Sequence, residues 1–266
     1  MKAALISLSR EGASVIRRIA EDLSAHADIF LSEDVEEGNA HRFASIMTLT
    51  EEIFHRYDTL VYVAPCGVAV RAIAPHVKSK HKDPAVLVVD VGARFVVSLI
   101  GGHEGGANAF AVEVSNILGA EPVITTTTEA RKTVIAGIGC RRGISAGSII
   151  DAIMDALRQA SIALSEVRLL ASADVKAKEK GLLQASEQLN IPLRLLSSEE
   201  IRLSGRQFAS STFVREKVDL PAVAEPAALL AGRRTRLILP KITHKGVTVA
   251  LARESFTWSE SALEAS

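Results

Sequence analysis

The stretch Ser98–Glu129, SLIGGHEGGANAFAVEVSNILGAEPVITTTTE, reads as the end of a strand, a glycine-rich loop, a helix, a second strand and a cluster of threonines. Its loop, GGHEGGAN, holds four glycines, a histidine, a glutamate and an asparagine in eight residues. Glycines concentrate where a backbone turns tightly or approaches a ligand closely. The stretch therefore indicates α/β structure and places the first functional hypothesis between Ser98 and Gly106.

The composition excludes several classes of protein. The 266 residues carry 31 basic and 31 acidic side chains, which argues against nucleic-acid binding through bulk charge. Two distant cysteines, Cys66 and Cys140, do not make a disulfide framework. The amino terminus lacks the features of a signal peptide, and no apolar run has the length of a membrane span. We therefore expect a cytoplasmic protein with no nucleic-acid or membrane partner.

Strands and helices alternate in both halves of the chain, which predicts two α/β domains. The segment Thr126–Thr133 is the expected junction, so the domains are predicted over 1–129 and 133–266. The first is expected to be a Rossmann-like three-layer sheet. The second is expected to be a smaller α/β domain that ends in a hairpin.

Two hairpins are indicated by the pattern. Ala85–Asp90 and Arg94–Leu99 read as strands joined by a tight turn around Gly92. Leu237–Leu239 and Val247–Leu251 read as the closing hairpin.

Three loops of the first half follow predicted strands. They contain Cys66 and Gly67 with Arg71 a turn later, Gly101–Gly106, and Thr125–Thr128. Ligands of open α/β sheets bind beyond the carboxyl ends of the strands, and helix starts favour anions. We therefore expect the three loops to converge on a carboxylate or phosphate, with Thr125 and Thr126 among the contacts. Glycine-rich loops also often form simple tight turns.

The second half also has a glycine-rich segment after a predicted strand, GIGCRRGIS. Arg141 and Arg142 can bind carboxylates through paired hydrogen bonds, although they read equally well as a solvated pair. Ser145 is a candidate N-cap. Cys140 reads as a nucleophile or a soft metal ligand or, more often for such a cysteine, as a small buried apolar residue. The glycines that allow close backbone approach are Gly137, Gly139 and Gly143.

His103 has a side chain whose ordinary pKa range suits acid–base chemistry, but loop histidines are usually only solvated. The other histidines show no metal-ligand spacing, so no metal site is predicted. Neither glycine loop has the G-x-G-x-x-G or Walker A spacing, which disfavours a nucleotide site.

The segments CGVAVRAIAPHVKSKHKDPAVLVVD and GGHEGGANAFAVEVSNILGAEPVITTTTE resemble the amino-terminal domain of the CbiG family, the cobalt-precorrin-5A hydrolases of anaerobic cobalamin biosynthesis. GIGCRRGISAGSI, ADVKAKEKGLLQAS, AVAEPAALLA and KGVTVALA resemble the family's carboxyl-terminal domain, which also occurs alone as CobE. The resemblance covers nearly the whole chain. Longer members carry a middle domain that this short form lacks.

The resemblance implies a hydrolase that opens a δ-lactone on a cobalt-containing tetrapyrrole and releases acetaldehyde. Cobalt would arrive with the substrate, so no separate cofactor is implied. The resemblance favours His103 over Glu104 as the catalytic acid or base, since the family more often has an apolar residue at position 104. Asn108 would orient the lactone.

The implied substrate-binding set combines the loops of both halves. It consists of Arg71, Gly101, Gly102, Gly105, Gly106, Thr125, Thr126, Gly139, Arg141, Arg142, Gly143 and Ser145. Within it, the N–H groups of Gly102, Gly105 and Gly106 would stabilise the oxyanion. The competing interpretation is a non-catalytic corrinoid carrier or assembly protein of the same pathway. Other cobalamin-pathway enzymes and a homodimer stay open as partners.

Overall fold

The computed structural model describes residues 1–23, 26–36, 38–204 and 223–256. The chain divides into two compact units, Met1–Thr126 and Thr127–Ser266. Each contains one sheet. Within the described ranges, no helix combines the length and apolar character needed to cross a membrane.

The first unit alternates strands and helices along the chain. Its strands are β1 (Lys2–Ser7), β2 (His26–Ser32), β3 (His41–Phe43), β4 (Thr59–Val63), β5 (Ala85–Val89), β6 (Phe95–Ile100) and β7 (Glu121–Val123). Its helices are α1 (Arg10–Asp22), α2 (Ile46–Ile53), α3 (Cys66–Ile73) and α4 (Ala107–Leu118). Helix α1 begins where the Ser9 hydroxyl accepts the Gly12 amide at 3.1 Å. Helix α4 ends at Gly119, whose φ of +67° is the left-handed conformation that glycine favours at a helix end.

The sheet of the first unit has the order β3-β2-β1-β4-β5-β6-β7 and is covered on both faces. On one face Ile16 of α1 and Phe110 of α4 belong to a buried cluster with Leu5. On the other face Leu49 of α2 packs in a second cluster that includes Tyr62. Full burial of such side chains contributes about 1.5–3 kcal/mol each. The predicted three-layer α/β architecture is confirmed.

One strand pair of this sheet determines where the loops lie. Strands β5 and β6 are antiparallel, with Val86 opposite Ile100, whereas all other neighbours in the sheet are parallel. The predicted hairpin around Gly92 is therefore present. Because of this hairpin, β6 and β7 run in the opposite direction to β1–β5. The carboxyl ends of β6 and β7 therefore lie at the opposite edge of the sheet from those of β1–β5.

The second unit begins with the short helix α5 (Thr127–Ala130) and also alternates. Its strands are β8 (Val134–Cys140), β9 (Val167–Ala173), β10 (Leu193–Leu196), β11 (Thr235–His244) and β12 (Val247–Glu254). Its further helices are α6 (Ala146–Gln159), α7 (Lys180–Leu189), α8 (Ser198–Leu203) and α9 (Ala224–Leu230), with 3-10 turns at Leu164–Glu166 and Asp174–Lys176. The amino-acid sequence predicts a helix over Pro221–Leu230, of which residues 221 and 222 lie outside the described residues.

The second sheet has the order β10-β9-β8-β12-β11. Strands β8, β9 and β10 are parallel, and β12 pairs antiparallel with both β8 and β11. Helices α6 and α7 supply Ile149, Ile153 and Leu182 to the core on one face, and α9 packs Ala224 and Ala228 on the other. The predicted closing hairpin is confirmed as β11 and β12.

Candidate functional site

The glycine loop of the first unit folds back on itself between β6 and α4. The Gly101 carbonyl accepts the amides of Gly105 and Ala107, both at 3.1 Å, and the Gly102 carbonyl accepts the Asn108 amide at 3.0 Å. Gly101 and Gly106 have φ values of +74° and +78°, which L side chains rarely adopt. The loop thus needs glycine for its own geometry at these two positions.

Gly102 is required for close packing. A Cβ atom at Gly102 would lie 2.6 Å from the Thr126 Cγ2 atom and 3.1 Å from the Asn108 Oδ1 atom. The loop after β6 and the segment after β7 therefore meet at one edge, as two of the three predicted loops should.

A buried polar chain ties the two segments together. The Ser98 hydroxyl donates to Asn108 Oδ1 at 2.8 Å, and Asn108 Nδ2 donates to Thr126 Oγ1 at 2.9 Å. Ser98 and Asn108 are each 7% exposed, whereas Thr126 is half-buried and Thr125 exposed. Sequence reasoning included Asn108 and Thr126 but left Ser98 out of the binding set. Its signal was a single serine within the apolar strand FVVSLI.

His103 and Glu104 stand on the exposed rim of the same loop. His103 makes no hydrogen bond or ion pair within the described ranges, so its ring is free to contact a ligand. Glu104 instead forms an ion pair with Lys80, with Oε1 2.8 Å from Nζ. The hydrogen bond from Lys80 lowers the pKa of the Glu104 carboxyl.

The expected convergence of three loops is wrong. Cys66, Gly67 and Arg71 lie at the carboxyl end of β4, where Val63 pairs with Val89. The Gly101 loop lies at the other edge, where an added Cβ would come within 3.0 Å of the Ala85 Cα atom. Five residues of β5 separate the edges, on the order of 16 Å at about 3.3 Å per residue. The β5–β6 hairpin is the cause, because it reverses the direction of the chain.

The edge that holds Cys66 has a groove of its own, with a volume of about 540 Å³. Its walls are mostly apolar and include Val88, Val97 and Phe95. The Asp90 carboxylate also lies here and accepts the amides of Arg94 and Phe95, both at 2.8 Å. Burial works to raise the pKa of Asp90, but these bonds and the Arg94 side chain together lower it. Asp90 therefore serves the hairpin turn.

In the second unit, the loops after β8, β9 and β10 share one edge because these strands are parallel. The Gly143 amide donates to Glu179 Oε1 at 3.0 Å, and the Arg141 amide donates to the Gly246 carbonyl at 3.2 Å. Arg141 and Arg142 are exposed and have no ion pair within the described part of the chain. This edge is suited to holding anions.

Ser145 is the N-cap of α6, as predicted. Its hydroxyl accepts the Ser148 amide at 3.2 Å. Gly143 has a φ of +76° and turns the chain into this helix. Burial raises the pKa of the Cys140 thiol, which favours the protonated form and the interpretation of Cys140 as a structural residue.

The glycines of β8 leave space that atoms of neighbouring elements fill. A Cβ atom at Gly137 would lie 1.9 Å from the Ala224 carbonyl oxygen. One at Gly139 would lie 2.5 Å from the Thr248 hydroxyl. Both positions therefore have a complete structural explanation in the packing of α9 and β12. Glu225 of α9 is buried, and its carboxylate accepts the Lys241 amide at 3.0 Å.

No group of three or more histidine, cysteine, aspartate or glutamate side chains that could hold a metal occurs in the described ranges.

The two units correspond to two family models. Residues 48–129 match the model described as cobalamin synthesis G N-terminal, and residues 134–252 match cobalamin synthesis G C-terminus. The chain belongs to the CbiG family. Both CbiG blocks are present in the order that the motifs predicted, with only residues 130–133 between them.

Two curated relatives match this CbiG chain, one over most of its length and one over about half of it. It is 25% identical to the cobalt-precorrin-5A hydrolase of Salmonella typhimurium over 341 aligned positions, which cover 93% of this chain and 96% of the relative. Because 341 exceeds the 266 residues of this chain, the relative carries inserted residues. About half of the chain (52%) is 32% identical to protein CobE of Sinorhizobium sp. and covers 92% of it. The crystal structure of CobE aligns at 33% identity over 46% of this chain and 91% of that one, with a TM-score of 0.43.

Proposed function

We propose that this CbiG chain is a cobalt-precorrin-5A hydrolase of cobalamin biosynthesis. The observation that carries the proposal is the match along 96% of a relative that bears this name, with both family blocks in order. The geometry supports it, since the first unit presents a histidine that has no partner among the described residues, beside backbone and hydroxyl donors. The second unit presents two arginines that form no ion pair with any described residue.

The reaction has two steps that balance without an oxidant or reductant. Water attacks the lactone carbonyl carbon, the carbonyl becomes a tetrahedral oxyanion, and the ring C–O bond breaks to give a carboxylate and an alcohol. The alcohol then loses its proton, its C–O bond becomes the C=O of acetaldehyde, and the carbon–carbon bond to the macrocycle breaks. The electron pair of that bond passes into the macrocycle.

His103 is the proposed acid–base group. It lies on the exposed rim of the loop and has no partner within the described residues that would hold its ring away from a ligand. An imidazole can take the proton of the attacking water and return it to the leaving oxygen.

The oxyanion donors belong to the same loop. Gly102 and Gly106 have amides with no acceptor among the described residues, whereas the Gly105 amide already donates to Gly101. We therefore assign the donor role to Gly102 and Gly106 and withdraw Gly105 from it. Gly101 and Gly105 shape the loop.

The second unit is proposed to hold carboxylates of the tetrapyrrole rim. Arg141 and Arg142 follow β8 on a loop that Gly143 and Ser145 turn into α6. Guanidinium groups bind carboxylates through two parallel hydrogen bonds. Because Gly139 is explained by packing against Thr248, it is left out of this binding role.

A carrier function is the alternative. It is favoured by one observation: the second unit alone accounts for 92% of CobE. A carrier would bind the macrocycle and release no acetaldehyde.

The deciding experiment supplies the cobalt lactone intermediate to the purified chain without oxygen and measures acetaldehyde. The proposal expects catalytic release with a simultaneous change in the macrocycle absorption. Binding of the intermediate without any acetaldehyde would establish the carrier instead.

A further inference from the structure

The hydrogen bonds that link Ser98, Asn108 and Thr126 have defined donors and acceptors. The function proposed above does not depend on which group donates. The Asn108 side chain has one acceptor oxygen and one donor NH₂ group. Oδ1 accepts the Ser98 hydroxyl, so Nδ2 faces Thr126 and donates to its Oγ1 atom. A hydroxyl has one hydrogen, and Thr126 uses its oxygen as the acceptor. Because no described residue accepts that hydrogen, it is left for a ligand.

Two contacts fix the orientation of the Thr126 side chain, one to its hydroxyl oxygen and one to its methyl group. Its Oγ1 atom lies 2.9 Å from Asn108 Nδ2. Its Cγ2 methyl lies over Gly102, 2.6 Å from the place that a Cβ atom would take there. Threonine is stiff at χ1, so these two contacts hold one rotamer. The residue is only half-buried, which lets the remaining hydrogen reach a bound molecule.

A second donor lies alongside. The Gly102 amide has no acceptor within the described residues, and Gly102 packs directly against Thr126. An amide and a hydroxyl on two residues in contact can together stabilise a tetrahedral oxyanion.

We propose that the Thr126 hydroxyl donates to the oxyanion of the lactone, with Asn108 as the residue that positions it and Ser98 as the residue that fixes the Asn108 amide. The proposal rests on the hydrolase function above. It moves Asn108 from direct contact with the lactone to a role through Thr126, and it adds Ser98 to the site.

The first test replaces the hydroxyl by an isosteric methyl. Thr126→Val should lower kcat for acetaldehyde release about 100-fold with little change in KM, since one oxyanion donor typically contributes that much. Thr126→Ser keeps the hydroxyl and should restore kcat to within about tenfold of wild type. The matched control is Thr48→Val, an exposed threonine on α2 that should leave kcat unchanged.

The second test replaces the Asn108 NH₂ group, which donates to Thr126, by an oxygen that accepts. Asn108→Asp places a carboxylate that cannot donate, so Thr126 turns its hydrogen toward the new group and kcat falls. Burial raises the pKa of such a carboxyl, and the protonated acid can donate again. The ratio of the variant kcat to the wild-type kcat should therefore rise as the pH falls. A residue that served only packing would give a ratio independent of pH.

The outcomes are distinguishable. No acetaldehyde from wild type overturns the proposed function and this inference with it. An active wild type with Thr126→Val within threefold of it, or with a pH-independent Asn108→Asp ratio, overturns this inference alone. Thermal unfolding of each variant confirms that it is folded. If Asn108→Asp does not fold, the Thr126 series decides, because that side chain is half-buried.

Discussion

The glycine loops after β6 and β8 resemble each other in sequence and differ in what their glycines do. In the first loop, Gly101 and Gly106 adopt left-handed backbone conformations and the chain folds back on itself. In the second, Gly143 also adopts a left-handed conformation, but Gly137 and Gly139 belong to β8, before the loop, and make room for a helix and a neighbouring strand. A glycine-rich strand end therefore does not by itself identify a ligand loop.

The two loops also differ in their polar groups. The first has a buried hydrogen-bonded chain beneath an exposed histidine. The second has two exposed arginines and a helix cap. Their groups suit different tasks, proton transfer and oxyanion stabilisation in the first unit and carboxylate binding in the second.

The variant that should break this division most severely is His103→Ala. Loss of a general acid–base group lowers kcat by about 100- to 10,000-fold. Binding of the tetrapyrrole should be retained. Acetaldehyde release and absorption titration measure the two quantities. His81→Ala, an exposed histidine of the neighbouring loop, is the control. Equal rates for the two variants would remove His103 from the mechanism.

Gly137→Ala tests the packing role of the glycines in β8, the strand that precedes the second loop. The new methyl would lie 1.9 Å from the Ala224 carbonyl oxygen, so we expect the free energy of unfolding to fall by about 3 kcal/mol. Gly147→Ala in α6 meets no atom within 4 Å and should raise it by about 0.5 kcal/mol. Urea unfolding measures both. Similar stabilities for the two variants would mean that α9 does not pack on β8 as described.

Replacement of Arg141 and Arg142 by alanine tests the carboxylate-binding role. We expect KM to rise about 10- to 100-fold, because hydrogen bonds to charged groups contribute roughly 1.5–3 kcal/mol. The value of kcat should change little. Arg158→Ala on α6, where the arginine pairs with Asp155, is the control. Unchanged KM would mean that the two arginines are only solvated.

The smallest effect is expected from Glu104→Gln. The Lys80–Glu104 pair is exposed, so its loss should change kcat by no more than about twofold. The pKa of Glu104 is lowered, so any stability from the pair is present above the ordinary carboxyl pKa and is lost as the pH falls through the lowered value. A large loss of kcat at neutral pH would return Glu104 to the catalytic candidates.

Local features of the fold could be predicted from the sequence because they depend on neighbouring residues. The turn at Gly92 and the cap at Ser145 are examples. The edge at which the glycine loop lies depends on the direction of β6, which a single hairpin reverses. The predicted hairpin around Gly92 already implies that Arg71 and Gly101 lie at opposite edges, because the strands that precede them run in opposite directions.

The remaining site features depend on contacts between distant segments. Ser98, Asn108 and Thr126 are brought together only when β6, α4 and β7 assemble. The packing reason for a glycine at position 139 depends on Thr248, which is more than a hundred residues away, and on α9. Neither spacing nor composition carries that information.

The most direct test of the division between the two loops is a single-turnover measurement of acetaldehyde without oxygen, with one lactone per chain and both far above the dissociation constant. We expect wild type and the double arginine variant each to release one acetaldehyde per chain at similar rates, and His103→Ala to release none on the same timescale. A fast burst from His103→Ala, together with no release from the arginine variant, would contradict the assignment of chemistry to the first unit.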